Sequence, residues 1–461
     1  MATVIKNGII VTPTDTFKSD MAIEKGIIAK LSDCIVPTSQ DSVIDAEGKY
    51  VLPGGIDPHA HLAISGTVDD FESGTRAAAS GGITSIINFT DPTPDQGSFL
   101  DDLKKWKQKA EHSIIDYGFH SIINRCDDAV LDEIAQLPEN GVTSIKLFMA
   151  YRGTNMVNDT DLFHLMKKAS EAGMVTNVHA EHGDIIDLLI EEQRRKGNTA
   201  PIYHAYTRPA LLEAEAVNRV LTIAELLQAP VYIVHVSSKE ALVEVQRAKE
   251  RGVNVYGETC PHYLLLDEDY LKRDRPEAVK YICSPPLRTK KDQSALWKGL
   301  QTSALSVIGS DHASHPYKNG KTRGIDDFTK APNGLPSIEN IYPLLYHFGV
   351  HEKRISLQTF AKVISLNAAK IFGLYPKKGI IQVGSDADLV LLDPNRTTLI
   401  SEKSQHQKTE YNVYEGFETK GTITHVLSRG DVIVKDHHIV GEPGRGEFLH
   451  RKKHTSFDPR G

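Results

Sequence analysis

Between residue 50 and about residue 373, short apolar runs alternate with longer stretches whose apolar positions recur at helical spacing. This is the pattern of strands each followed by a helix around a parallel sheet. Eight strand-like runs end near His61, Phe89, Ser121, Met149, His179, His235, Gly257 and Asp311. Eight such units predict a closed (β/α)8 barrel of the TIM type. The amphipathic stretches Ser98–His112, Asp159–Ala172, Arg208–Gln228 and Lys239–Arg251 are read as helices between them.

The pattern differs at both ends of the chain. Thr3–Val11, Met21–Glu24, Ile27–Leu31 and Ser42–Ile44 read as short strands broken by turns, and short strands return at Gly379–Gln382, Ala387–Leu392, Thr422–Leu427 and Asp431–Val434. Neither group is large enough to bury a core alone, so the two are expected to pair into one small β-sandwich domain with the barrel inserted between them. The expected division is 1–50 and 374–440 for the small domain and 51–373 for the barrel. The polar tail 441–461 is expected to be disordered or to act as an arm on a neighbouring subunit.

Composition narrows the function classes. The chain has 461 residues, a net charge of −7 and 25% charged residues, with Lys and Arg scattered. No basic stripe argues for nucleic acid, and a small neutral or modestly charged substrate fits better. Cys34, Cys126, Cys260 and Cys283 form no C-x-x-C pair, which points away from a disulfide framework and toward a reducing compartment. No run reaches membrane-spanning length and no signal-peptide pattern opens the chain, so a cytoplasmic location is expected.

The chemistry lies where polar residues end apolar strands. His59 and His61 are two apart at the end of the first barrel run, so at strand spacing their imidazoles share a face. Taken alone they read equally as a surface pair or as metal ligands. His179 and His235 end two further apolar runs, and imidazoles at the C-terminal ends of three strands favour a metal site there. Asp311 follows the last run, where it can cap a helix, bind a cation or act as a base. Lys146 interrupts the apolar strand Val142–Met149, where an unpaired ammonium is costly to bury. It either reaches out of the barrel end or points inward, where burial lowers its pKa and leaves an amine able to take up carbon dioxide.

These residues lie in segments that together resemble the dihydropyrimidinase and hydantoinase family of cyclic amidohydrolases over nearly the whole chain. The segments include Gly55-Ile56-Asp57-Pro58-His59-Ala60-His61, Lys146-Leu147-Phe148-Met149-Ala150-Tyr151, Val178-His179-Ala180-Glu181, Gly257-Glu258-Thr259-Cys260-Pro261, Ser284-Pro285-Pro286-Leu287-Arg288 and Gly309-Ser310-Asp311-His312. The resemblance implies two divalent ions, zinc first and manganese as the alternative. His59, His61 and Asp311 would hold one, His179 and His235 the other, and carboxylated Lys146 and a hydroxide would bridge them. It further implies that Tyr151 bonds the substrate carbonyl, that the backbones at Ser284 and Asn333 hold the ring amide, and that Asp311 moves the proton. The implied reaction opens a cyclic amide to an N-carbamoyl amino acid, and the implied assembly is a homotetramer or homodimer. An allantoinase-like enzyme and a non-catalytic scaffold that has lost its ligands are the alternatives. Retention of all six ligand positions argues against the scaffold.

The chain departs from the family pattern in two places. The loop Leu62–Val68 is several residues shorter, and Arg152–Val157 lacks an aromatic residue found there in typical D-hydantoinases. Side-chain preference and stereochemistry are therefore not implied. Four further histidines, His182, His262, His312 and His315, receive no role, and the last two are expected beside or outside the site.

Overall fold

The computed structural model describes residues 2–93 and 97–459. Eight strands form one parallel sheet: β1 (Gly55–Ala60), β2 (Ile83–Phe89), β3 (Asp116–Ile122), β4 (Ser144–Phe148), β5 (Val175–His179), β6 (Val231–Ile233), β7 (Val255–Thr259) and β8 (Val307–Ile308). The sheet runs in chain order, as a barrel built from successive βα units must. It closes between β8 and β1. Ser310 donates from its backbone N–H to Asp57 at 3.0 Å and from its hydroxyl to the His59 carbonyl at 2.8 Å. The His61 N–H donates to His312 O at 2.9 Å, beside a parallel bridge from Ala60 to His312.

Helices predicted from periodicity are present as Phe99–Lys109, Asp159–Glu171, Ala210–Leu227 and Lys239–Glu250. Three of them start where a polar side chain caps a free N–H: Ser98 accepts from Asp101, Asn158 from Asp161 and Ser238 from Ala241. Among the described residues, no helix is long and apolar enough to cross a membrane.

The terminal strands form one mixed nine-stranded sheet. Thr3–Val11 lies at its centre, antiparallel to Thr16–Glu24 and parallel to Ser42–Asp45 along its first half and to Tyr50–Pro53 along its second. Tyr50–Pro53 also pairs antiparallel with Leu389–Leu399, which joins the N-terminal to the C-terminal strands. Its core contains Ile5, Ile10, Met21, Val51, Leu389 and Leu427. The apolar run that ends at His61 is thus two strands, Tyr50–Pro53 in this sheet and β1 in the barrel, parted at Gly54.

Two expectations are corrected. Gly379–Gln382 is bent, irregular chain rather than a strand, although Ile381 is buried in the small core. The tail packs on its own barrel, across the N-terminal ends of the strands; Arg460 and Gly461 lie outside the described residues. Tyr117 N–H donates to Glu447 O at 3.0 Å, Leu449 N–H to Tyr117 O at 2.7 Å and His454 N–H to Gly173 O at 2.9 Å. Arg451 is buried there, donating to Ser144 Oγ at 2.8 Å and to the Phe119 carbonyl. Composition alone reads such a tail as free. Backbone pairing and one buried guanidinium hold it instead.

Candidate metal centre

The opposite end of the barrel, where the strands finish, holds a cleft of about 130 Å³ lined by His59, His61, Ile64, Lys146, Phe148, Tyr151, His179, His235, Ser284, Asp311, Ala313, His315, Asn333 and Gly334. All nine residues given a ligand or substrate role from the sequence border it. His59 lies in β1, Lys146 in β4 and His179 at the end of β5, while His61, His235 and Asp311 lie one to three residues past β1, β6 and β8. Tyr151, His235 and Asp311 have φ of 68°, 41° and 48°. Left-handed backbone is costly for side chains of this size and concentrates at functional sites. Here it turns the chain sharply as the strands end.

His59 Nε2 and His61 Nε2 lie 3.0 and 3.2 Å from the same Asp311 oxygen. One ligand atom from each of the three residues falls within 4.8 Å of the others. His179 Nδ1 and His235 Nε2 face each other at 2.8 Å. Lys146 Nζ sits over the Phe89 and Phe148 rings at 4.8 and 4.9 Å, and no described carboxylate is within ion-pair distance of it. Burial pulls its amine down to about 7, with Asp311 and Glu258 opposing.

The protonation states fit a cation site. Burial lowers His61, His179 and His235, leaving neutral imidazoles with lone pairs to offer. His59 differs: burial disfavours its charge, but Glu258 and Asp311 on either side hold it up to about 9. Burial also disfavours the Asp311 carboxylate, yet His59 and the hydrogen bonds from His59 and His61 hold it well below its ordinary range. An ion among these three would take the place of the proton that His59 shares with Asp311. The donor set therefore fits a divalent cation.

Two carboxylates to which the sequence reading gave no role orient these ligands. Glu258 Oε1 accepts from His59 Nδ1 at 2.6 Å and from the His235 N–H at 2.9 Å, and its other oxygen accepts from Tyr232 at 2.8 Å. Glu181 Oε2 accepts from His179 Nε2 at 2.9 Å and from Arg208 at 3.0 Å. Such partners fix ring orientation and tautomer. Gly309 makes room, since a Cβ there would sit 2.6 Å from Glu258 Oε2 and 2.9 Å from His59 Cβ. The signal for both was a lone carboxylate in or just past an apolar strand run.

The remaining histidines separate. His312 is fully buried, bonded to Asp69 at 3.2 Å and accepting from the Ser337 N–H at 3.1 Å, so it braces the loop after β8. His315 borders the cleft between Gly66 O at 3.0 Å and Asn333 O at 3.1 Å. His182 precedes the helix Gly183–Arg195, 3.9 Å from Glu215, and His262 is buried with neither ring nitrogen partnered among the described residues.

The Amidohydrolase family model matches residues 50–433. The chain is 45% identical to a D-hydantoinase of Geobacillus stearothermophilus, over 99% of this chain and 98% of that one. It superposes on the crystal structure of a dihydropyrimidinase from Brevibacillus agri with a TM-score of 0.97 at 42% identity, covering 99% and 100% of the two chains. An L-hydantoinase from Arthrobacter aurescens superposes with a TM-score of 0.90 at 29% identity, covering 97% and 99%. With the cleft, its ligand set and these likenesses together, the chain belongs to the dihydropyrimidinase and hydantoinase family of the amidohydrolase superfamily and is a hydrolase of that type.

Proposed function

We propose that the chain opens a cyclic amide, a dihydropyrimidine or hydantoin ring, by adding water to a ring carbonyl and releasing an N-carbamoyl amino acid. The observation that carries this reading is the convergence of His59, His61, Lys146, His179, His235 and Asp311 on one cleft whose rim carries Tyr151, Ser284 and Asn333. Two divalent ions, zinc in the first instance, would be held by the six side chains with Lys146 carboxylated by carbon dioxide, and would supply Lewis acidity and lower the pKa of a water beside them.

The chain's own groups do the rest. The Asp311 carboxylate accepts the proton of the attacking water and returns it to the departing ring nitrogen. Burial raises the Tyr151 phenol, so its hydroxyl keeps its proton and donates to the carbonyl oxygen as negative charge develops there. The backbones of Ser284 and Asn333 hold the ring amide against these groups. Ile64, from the short loop after β1, also lines the cleft. Homodimer or homotetramer assembly belongs to the same reading.

The test is ring opening of dihydrouracil, hydantoin and 5-substituted hydantoins of each hand, before and after chelation. The expected result is opening of an unsubstituted ring, loss on chelation and recovery with zinc or manganese. Opening of none of these rings by the metal-loaded chain contradicts the reading.

A further inference from the structure

Lys321 is fully buried, and no described carboxylate lies within ion-pair distance of it. Its ammonium donates to three backbone carbonyls instead: Ile282 O at 2.7 Å, Pro332 O at 2.9 Å and Gly334 O at 2.6 Å. Three N–H groups meet three acceptors, so the group is saturated. An ammonium so deep without a counter-charge is expensive, and an apolar side chain would be the cheaper filler if only volume mattered. The three acceptors belong to two segments, one leading into Ser284 and the other enclosing Asn333. Gly334 also donates to Ile282 O at 3.1 Å, tying the segments directly. Its φ of 131° and the 2.6 Å approach a Cβ would make to Ala313 Cβ restrict that position to glycine.

A planar trans peptide points its N–H opposite to its carbonyl. With Pro332 O held by Lys321, the Asn333 N–H faces away from the lysine, and Asn333 borders the cleft. That N–H donates to no described residue. The Ser284 peptide follows the same rule. Burial and Arg208 pull His204 down to about 3, so it is neutral, and its Nε2–H donates to Cys283 O at 2.8 Å, which turns the unpartnered Ser284 N–H the other way. Each free donor is backed by a buried group on its own carbonyl.

We propose that Lys321 is a positioning residue that fixes and polarises the peptide group at Asn333 and anchors the segment leading into Ser284, whose own peptide His204 orients, so that both present free donors to the amide ring of the substrate. This rests on the cyclic-amide reading above. Lys321 sits behind the cleft and touches neither substrate nor the six ligands. Its loss therefore acts on ring binding and alignment and leaves ion binding alone.

The experiment compares the full-length, zinc-loaded chain with Lys321→Met and with Lys321→Gln, which keeps a donor. Metal content, kcat and KM for ring opening, and inhibition by two probes are measured: a cyclic imide that needs the peptide donors and a hydroxamate that needs only the metal. Lys321→Met is expected to keep its ions and its affinity for the hydroxamate, to lose affinity for the imide, and to fall roughly 100-fold in kcat/KM, mostly through KM. Lys321→Gln regains part of this, and it supplies the same readouts if the methionine variant does not fold. Unchanged KM and imide affinity in either folded variant, with only thermal stability lowered, overturn the proposal. A wild-type chain that opens no cyclic amide overturns the reading beneath it and the proposal with it. A wild-type chain that opens the ring beside a variant with wild-type KM overturns the proposal alone.

Discussion

Two groups of buried ionisable side chains lie at opposite ends of the barrel, and each brings three ligand atoms within 4.8 Å of one another: His59, His61 and Asp311 where the strands finish, and Asp116, Asp386 and Asp388 where they begin. In the second group the centre is already filled. Lys378 Nζ lies 2.8, 3.0 and 2.6 Å from the three carboxylates, and Arg429 joins Asp116 from outside. Asp116 begins β3 while the other two belong to the terminal sheet's side, so this cluster ties the two parts of the molecule together. In the first group the lysine stands apart. Lys146 lies against the Phe89 and Phe148 rings with no described carboxylate in ion-pair distance, and His179 and His235 face each other across the same cleft. The same kinds of side chain thus make a closed ion-pair network at one end and, at the other, a set of nitrogen and oxygen donors turned toward one cleft. The position of the lysine distinguishes them.

The largest effect that tests this contrast is Lys146→Ala. Removing an uncompensated buried amine should cost little stability, but ring opening should fall by roughly 1,000-fold or more and ion content should drop. Undiminished turnover, read beside a metal assay, would break the comparison from the cleft side. Lys378→Met should behave in the opposite way. It leaves Asp386 and Asp388 without their shared ammonium and Asp116 with Arg429 alone, and should cost about 3–5 kcal/mol in a denaturant titration, while bound metal per folded chain stays at the wild-type level. Loss of metal with unchanged stability would show that cluster to be the cation site. A smaller effect is expected for Glu258→Gln, which weakens the acceptor behind His59 and leaves its shape. Metal affinity should fall by about 10–100-fold, measured by competition with a chelator.

Much of this was legible in the sequence because the barrel repeats one physical pattern. Apolar runs buried on both faces and capped amphipathic helices leave strong periodic signals, and ligand-type residues at strand ends stand out against them. The six candidate ligands were readable for that reason. Glu258 and Glu181 were not, since their partners come from other strands and follow no spacing. Lys321 was hidden more completely, in a polar loop where one more lysine carries no pattern and only the fold reveals three carbonyls around it. The terminal sheet was legible where strands are long. Gly379–Gln382 misled because a buried Ile381 in irregular chain looks like strand alternation. The tail misled because polar composition says nothing of backbone bonds to a barrel floor.

The central proposal is that carboxylated Lys146 joins the other five side chains in holding two cations. Its most direct test titrates the metal-free chain with zinc, with and without ¹³C-bicarbonate, about one pH unit above and below the value of about 7 to which burial pulls Lys146. A lowered amine pKa means the nucleophilic neutral form dominates above that value and is lost below it. About two ions per chain should therefore bind at the higher pH with bicarbonate present. A carbamate ¹³C signal should appear alongside them, and both should diminish at the lower pH or without bicarbonate. Tight uptake of two ions with no carbamate signal, or no uptake under any of these conditions, would contradict the account.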